Sequence, residues 1–159
     1  MITGPMDAKT RRPLLFFVLA TLVIGALGSF FTQPNIPTWY AQLNQPSITP
    51  PNWVFGPVWT TLYVMIAIAG WLAWKASGWS RPVAFWAVQM ALNTAWSVLM
   101  FGAHKIGWAL VDITVLWLAI AGFIVTAWPV SRTAALLFVP YFAWVSFASA
   151  LNFAIWRLN

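Results

Sequence analysis

Residues 54–74 read VFGPVWTTLYVMIAIAGWLAW, a run without a charged side chain. At a rise of about 1.5 Å per residue, a helix of this length covers about 30 Å, the thickness of the hydrocarbon core of a bilayer. Apolar and polar residues do not alternate along the run, as they would in a membrane-spanning strand. The stretch therefore predicts a transmembrane helix.

Four further runs have a similar length and character: residues 13–31, 83–103, 106–128 and 133–156, of which the third includes Asp112. The chain as a whole is 62% hydrophobic and 6% charged, whereas about a quarter of the residues of a soluble domain are charged. The sequence thus predicts an all-α integral membrane protein, a bundle of five transmembrane helices.

The connections between the predicted helices are short, except for a proline- and tryptophan-rich loop between the first and the second. Short connections make successive helices antiparallel neighbours in one bundle. The sequence contains no linker and no internal repeat. Residues 1–159 are therefore predicted to form one membrane domain.

The first hydrophobic run has a second interpretation, as a secretory signal peptide. Lys9, Arg11 and Arg12 precede it, and residues 26–28 resemble a cleavage site. The run nevertheless continues beyond that point to Phe31. We therefore favour a first transmembrane helix that begins at Pro13.

Basic residues indicate the orientation of the bundle. Those on the N-terminal side are Lys9, Arg11, Arg12, Lys75, Arg81 and Arg132, and those on the other side are Lys105 and Arg157. By the positive-inside rule, the N-terminus is cytoplasmic, and the long loop and the C-terminus lie outside. The basic residues that flank the spans explain the net charge of +6. We therefore expect the lipid bilayer as the partner of this chain and no nucleic acid.

Residues that commonly carry catalysis or bind metals are scarce. The chain has one histidine, His104, two acids, Asp7 and Asp112, and no cysteine. These donors are too few for a protein metal site, and the acids are too far apart to act as a pair. His104 as an axial haem ligand is an alternative, but its place beside Lys105 favours an ordinary interfacial histidine. We expect neither a catalytic set nor a required cofactor.

Asp112 is the one acid within a predicted span, where an ionised carboxylate is costly. We expect it to be protonated or hydrogen-bonded to Gln89 or Asn93. The alternative is that Asp112, close to Trp108 and to the end of its helix, reaches interfacial water.

Polar and aromatic side chains recur at helical spacing inside four of the spans, and residues at such spacings share one helix face. They are Phe55, Trp59 and Tyr63; Gln89, Asn93 and Trp96; Trp108 and Asp112; and Tyr141, Trp144, Ala148 and Asn152. If these faces converge, they form an aromatic pocket with a few amides and hydroxyls, suited to a flat, mostly apolar ligand. The alternatives are hydrogen bonding between helices and an interfacial belt of tryptophans.

Several motifs together resemble those of a known family. They are Trp39-Tyr40, Leu43-Asn44-Gln45-Pro46, Thr49-Pro50-Pro51-Asn52-Trp53-Val54-Phe55, Trp59, Leu62-Tyr63, Gln89-x3-Asn93-x2-Trp96, Val139-Pro140-Tyr141-x2-Trp144 and Leu151-Asn152-Phe153. With these motifs in this order, the chain resembles the translocator protein family. That family comprises the tryptophan-rich sensory proteins of bacteria and the mitochondrial peripheral benzodiazepine receptors. The resemblance extends over nearly the whole chain from residue 34 onward.

The resemblance implies a five-helix bundle, often a homodimer, that binds porphyrins such as protoporphyrin IX, sterols, and isoquinoline- or benzodiazepine-type drugs. It also implies that the proline-rich loop covers the pocket as a lid, and prolines would lower the entropy lost on closing. The implied lid or rim residues are Trp39, Tyr40 and Phe55. The implied stacking walls are Trp59, Tyr63, Trp96 and Trp144; the polar contacts are Gln89, Asn93 and Asn152; Ala148 leaves room for the ring.

Three positions depart from the family pattern. Gln45 replaces a usual lysine, Ile48 a usual tryptophan, and Phe153 the tyrosine of a sterol-recognition pattern, so porphyrin is favoured over sterol as the ligand. We interpret the protein as a membrane receptor or sensor for porphyrins rather than an enzyme. One alternative is light-dependent degradation of the porphyrin, with Trp59 and Trp144 as electron-rich partners. The other is transport, against which the lack of an evident inverted repeat counts.

A stripe of small residues predicts a dimer interface on the third helix. Ala87, Ala91 and Ala95 recur every four residues, which lets helix backbones approach closely in lipid. At about 100° per residue, they lie on the side opposite Gln89 and Asn93. The alternative is that they pack within the same chain. Similar stripes occur on the first and fifth helices: Gly25 and Ser29, and Ser146, Ala150 and Ala154.

Overall fold

The computed structural model describes residues 8–159, so Asp7 lies outside the described residues. This part of the chain forms five long helices: α1 (Ala8–Thr32), α2 (Phe55–Ser77), α3 (Arg81–Ser97), α4 (Ile106–Ala127) and α5 (Arg132–Leu158). All five are long and apolar enough to cross a membrane, and the described residues include no strand. The predicted all-α transmembrane fold is confirmed.

Helix α1 starts earlier than the sequence predicts. It begins at Ala8 and includes Pro13, whereas we expected Pro13 to open it. A proline in the second turn removes one backbone hydrogen bond, which the flanking helical turns tolerate here. The charge-free run marks only the apolar part of α1, and the basic first turns extend the helix beyond it.

Local signals determine two other helix ends. Gly78 follows α2 with φ of 63° and donates its N–H to the carbonyl of Trp74 at 2.7 Å, a conformation that glycine adopts without a Cβ clash. Ser131 precedes α5, and its Oγ accepts the N–H of Ala134 at 3.3 Å, which caps the helix. These residues fix the two turns on the N-terminal side of the bundle.

The helices form a ring in the order α1, α2, α5, α4, α3. Helix α1 therefore lies between α2 and α3, although these two follow each other along the chain. α2 and α3 meet across the interior, where Trp86 donates from Nε1 to the carbonyl of Ile66 at 2.9 Å. Chain order and spatial order thus differ for this pair.

The half of the bundle next to the N-terminal side is densely packed. The rings of Phe17 and Trp86 meet edge to face at 4.8 Å, and both press on Gly70, where a Cβ would lie 2.5 Å from Trp86 Nε1. Phe123 stacks on Phe138 at 3.8 Å. Because such packing drives helix association in lipid, this half holds the bundle together.

The opposite half contains an irregular end of α3. Residues Val98–Gly102 form a π-helical turn that buries Met100 and Phe101. Gly102 lets the Phe31 ring of α1 approach, since a Cβ there would lie 2.8 Å from Phe31 Cδ1. Single π-helical turns are frequent at functional sites, and this one borders the cavity described below.

The loop between α1 and α2 covers this half of the bundle. It contains three short 3-10 turns, Gln33–Asn35, Tyr40–Gln42 and Asn52–Val54. Tyr40 is buried with its ring 5.7 Å from that of Phe101. We refer to residues 33–54 as the lid loop.

Candidate ligand-binding cavity

A cavity of about 960 Å³ lies between α1, α2, α3 and α5, under the lid loop. Its volume falls at the upper end of the range of about 300–1,000 Å³ for small-molecule sites. Nine of the eleven residues predicted to bind ligand line it: Tyr40, Phe55, Trp59, Tyr63, Asn93, Trp96, Trp144, Ala148 and Asn152. The expected convergence of aromatic and amide side chains is therefore seen in the geometry.

Aromatic rings form the walls of the cavity. The rings of Trp59 and Tyr63 are 5.5 Å apart, and Phe55 meets Trp144 edge to face at 5.9 Å. Such contacts hold the rings in defined orientations. They present flat apolar surfaces to whatever occupies the space between them.

Asn93 is held by two tyrosines. Tyr63 donates from its hydroxyl to Asn93 Oδ1 at 2.9 Å, and Asn93 Nδ2 donates to the Tyr141 hydroxyl at 2.9 Å. These bonds join α2, α3 and α5 and fix the direction of the amide. Polar groups inside a membrane are satisfied in this way by neighbouring helices.

A second polar contact joins Asn152 of α5 to α3. Trp96 donates from Nε1 to Asn152 Oδ1 at 3.0 Å, and Asn152 Nδ2 donates to the carbonyl of Ile106 at 3.2 Å. Trp96 is thereby fixed with its ring 5.8 Å from that of Phe101. Asn152 thus orients one aromatic wall of the cavity.

The chain is similar to known proteins over most of its length. The family model described as the TspO/MBR family matches residues 17–157. The chain is 47% identical to the tryptophan-rich protein TspO of Archaeoglobus fulgidus, with 92% of this chain and 96% of that protein aligned. It is 41% identical to the translocator protein of Homo sapiens, with 92% and 90% aligned.

The chain belongs to the TspO/MBR family. It is also 38% identical to a tryptophan-rich sensory protein of Cereibacter sphaeroides, with 76% of this chain and 77% of that protein aligned. Together with the five apolar helices, membership makes it an integral, multi-pass membrane protein. The family supports a receptor or sensor role in the membrane.

Two residues predicted to contact the ligand lie away from the cavity of this TspO/MBR protein. Trp39 stacks on His104 at 4.2 Å with the planes 8° apart, because His104 Nε2 and Asn35 Oδ1 are hydrogen-bonded at 2.9 Å and place the imidazole beneath the lid loop. Gln89 is fully buried, accepts from Tyr141 and donates to the carbonyl of Trp86. It lies one turn deeper than Asn93 on the same face and connects helices.

Helix α4 contributes no residue to the lining of the cavity, although Trp108 and Asp112 were expected to face it. Trp108 is on the outer surface, 64% exposed. Asp112 is buried, and its Oδ2 has no hydrogen-bond partner among the described residues. The expected bond to Gln89 or Asn93 is not formed; both amides are bonded to Tyr141 instead. The alternative, that Asp112 reaches interfacial water, stays a prediction.

Helix α1 supplies lining residues that the sequence reasoning missed. They are Val18, Thr21, Leu22, Gly25, Ala26, Gly28, Ser29 and Thr32. A Cβ at Gly25 would lie 3.2 Å from Tyr63 Cε2, so Gly25 lets Tyr63 pack closely on α1. The spacing of Gly25 and Ser29, which we considered for a dimer, was the feature of the sequence that marked this part of α1; a dimer contact there stays a prediction.

The lid loop is held by its own polar contacts. Gln45, which departs from the family pattern, donates from Nε2 to the carbonyl of Tyr40 at 2.8 Å. Burial raises the pKa of the Tyr40 hydroxyl, which keeps it neutral. The buried Oγ1 of Thr49 and Nε1 of Trp144 have no partner within residues 8–159.

The alanine stripe of α3 lies on the outer surface. Ala87 and Ala91 are exposed and Ala95 is half-buried, whereas Gln89 and Asn93 are buried. The stripe therefore points away from the cavity, as its spacing predicts. The dimer itself stays a prediction.

Proposed function

We propose that this TspO/MBR protein is a membrane receptor or sensor that binds porphyrins of the protoporphyrin IX type. The observation that carries the proposal is a cavity of about 960 Å³ whose lining combines flat aromatic walls with side-chain amides, among them Asn93 and Asn152. A planar macrocycle offers two apolar π faces to rings such as Trp59 and Trp144. Its polar edge groups suit the amides of Asn93 and Asn152.

The shape of the cavity supports a wide, flat ligand. Ala148 lines the same side as Trp144, one turn further along α5, and its small side chain leaves the space in front of that ring free. Isoquinoline- and benzodiazepine-type molecules share the flat apolar character and are expected to compete for this space. A sterol lacks an aromatic face, so stacking favours the porphyrin.

Removal of one aromatic wall tests the proposal. Trp144→Ala is expected to weaken protoporphyrin IX binding by about 5- to 150-fold, since an aromatic stacking contact contributes about 1–3 kcal/mol by analogy with base stacking. The measurement is a tryptophan-quenching titration of the purified protein. Trp79→Ala is the control, because Trp79 is 75% exposed on the opposite side of the bundle. Equal affinity of Trp144→Ala and the wild type would place the ligand elsewhere.

A second candidate function is light-dependent degradation of the bound porphyrin. It is favoured by the presence of two electron-rich indoles, Trp59 and Trp144, in the wall of one cavity. Excited porphyrin and molecular oxygen would be the reactants. Illumination of the holoprotein in air and under argon, with the Soret band followed, separates this activity from binding alone. Oxygen-dependent bleaching that Trp59→Phe slows would support it.

Transport receives less support from the bundle. Phe17 and Trp86 pack on Gly70 in the half of the bundle below the cavity, which closes the interior toward the N-terminal side. A ligand that crossed the membrane would have to displace these rings. A porphyrin flux assay in proteoliposomes checks this point, and flux above that of empty vesicles would favour transport.

A further inference from the structure

The cavity extends to the lipid-facing surface between α1 and α2. Its lining includes side chains that point out of the bundle: Leu22 is 61% exposed and Val64 is 56% exposed. Ala26 and Thr60 line it and are exposed as well. In a bilayer this surface contacts acyl chains, so the cavity is continuous with the hydrocarbon core.

The exposed part of the lining runs along α1 from Leu22 to Ser29 and along α2 from Gly56 to Val64. At a rise of about 1.5 Å per residue, each stretch covers about 10 Å, about a third of the hydrocarbon thickness. We call this boundary between the two helices the α1–α2 seam.

Tyr63 stands in the middle of the seam. Its ring packs against Gly25, where a Cβ would lie 3.2 Å from Cε2, and its hydroxyl is 3.7 Å from the position of a Cβ at Gly28. One hydrogen bond, to Asn93 Oδ1 at 2.9 Å, holds the hydroxyl. The ring therefore separates the interior of the cavity from the groove that faces lipid.

At the end of the cavity that faces water, hydrogen bonds hold the lid loop in place. Asn44 and Asn159 exchange two hydrogen bonds, Asn44 N–H to Asn159 Oδ1 at 2.9 Å and Asn159 Nδ2 to the Asn44 carbonyl at 3.0 Å. Trp39 stacks on His104 at another point of the lid loop. A ligand from water would have to break these contacts, whereas the α1–α2 seam is bordered by small residues.

We propose that ligands reach the cavity from the hydrocarbon core of the bilayer through the α1–α2 seam, with Tyr63 as the gate. The inference rests on the proposed function and specifies its ligands as flat, apolar molecules that partition into the membrane before they bind. Small side chains on α1, Gly25 and Ala26 among them, give such a molecule room to pass beside the tyrosine.

A bulky side chain placed in the α1–α2 seam tests whether ligands pass through it. An obstacle in a passage raises the barrier for association and dissociation by the same amount, so the equilibrium constant does not change. Ala26→Trp is expected to slow both rates by at least about tenfold, which corresponds to about 1.4 kcal/mol, because Ala26 is exposed at the lipid-facing edge of the lining. Val23→Trp is the matched control, because Val23 is 58% exposed on α1 and outside the lining.

The experiment uses the full chain in phosphatidylcholine vesicles, with protoporphyrin IX as the probe and stopped-flow tryptophan quenching as the readout. Tyr63→Phe keeps the ring but removes the bond to Asn93, and loss of one such bond should raise both rates about fivefold. Asn44→Ala removes the bond of the Asn44 side chain to the Leu158 carbonyl, which loosens the lid loop, and should leave both rates unchanged. Thermal unfolding of each variant confirms that it is folded.

The outcomes separate the route from the proposed function. Wild-type rates in Ala26→Trp, or faster rates in Asn44→Ala alone, overturn passage through the α1–α2 seam while binding stands. Faster dissociation without faster association in Tyr63→Phe makes Tyr63 a ligand contact and not a gate. If the wild type shows no saturable quenching by protoporphyrin IX, the proposed function fails and the route fails with it.

Discussion

Asn93 shows how a single polar side chain in the membrane can mark a site. Its amide bonds the hydroxyls of Tyr63 and Tyr141, so it is satisfied and still lines the cavity. Polar groups are costly in lipid, and those retained there are paired or used. This cost is why the spacing of Asn93 and Asn152 within the spans pointed to the cavity that both line.

Depth within the bundle was not predictable from spacing. Gln89 and Asn93 are four residues apart and share a helix face, yet Gln89 lies below the cavity and Asn93 in its wall. Periodicity identifies the face of a helix and leaves open where along it a cavity ends. Trp39 is a similar case, because it is outside the lining and packs on the distant residues Phe101 and His104.

Asp112 gives a test at a single atom. Its Oδ2 is buried without a partner among the described residues, and an ionised carboxylate is costly within a membrane span. Asp112→Asn keeps the shape and removes the ionisable carboxyl. We expect the free energy of unfolding to be unchanged or higher by up to about 2 kcal/mol, as measured by denaturation in detergent.

The affinity for protoporphyrin IX should be unchanged in Asp112→Asn, because Asp112 is outside the lining of the cavity. Asn152→Ala serves as a comparison, since Asn152 lines the cavity and bonds Trp96. A large loss of affinity in Asp112→Asn would show that the carboxyl takes part in binding.

Each of the five helices was predictable as an element, but its ends and its role were not. A charge-free run shows which residues lie in lipid, whereas a helix continues into water wherever its backbone bonds are made. α1 therefore begins at Ala8, and α2 continues through Lys75 to Ser77. The π-helical turn at Val98–Gly102 has no marker in the sequence, since it depends on how α3 packs against α1.

The lid loop offers a test at the level of one segment. Asn44→Ala removes the side chain that donates to the carbonyl of Leu158 at 3.3 Å and keeps the two backbone bonds to Asn159. Amide hydrogen exchange of residues 40–45 should become up to about tenfold faster, because the loop opens more often without the side-chain contact. Gln42→Ala, at an exposed position of the same loop, is the control. Equal exchange in Asn44→Ala and the control would mean that the contact with Leu158 does not hold the loop.

The molecule as a whole has one packed half and one hollow half. Phe17, Trp86 and Gly70 belong to the packed half, and the lid loop covers the hollow one. The N-terminal side, which carries most of the basic residues, borders the packed half. By the positive-inside rule this side is predicted to be cytoplasmic, so the hollow half is predicted to face the opposite compartment.

The outer surface of α3 is the predicted interface of a homodimer. Ala91 is exposed at the centre of the alanine stripe, and Ala91→Leu adds a bulky side chain where two backbones would meet. Cross-linking in mild detergent should then yield less than half of the wild-type dimer. Val125→Leu, on the exposed face of α4, should leave the yield unchanged. An undiminished yield in Ala91→Leu would exclude α3 as the interface.

Occupation of the cavity by a porphyrin is tested most sharply by filling the cavity from within. Ala148 lines it, and Ala150, two residues further along α5, is exposed to lipid. Titration with protoporphyrin IX, followed by circular dichroism in the Soret band, should show a saturable signal for the wild type and for Ala150→Trp. Ala148→Trp should abolish the signal, because the indole occupies the space of the macrocycle. A full signal from a folded Ala148→Trp protein would show that the porphyrin binds outside this cavity.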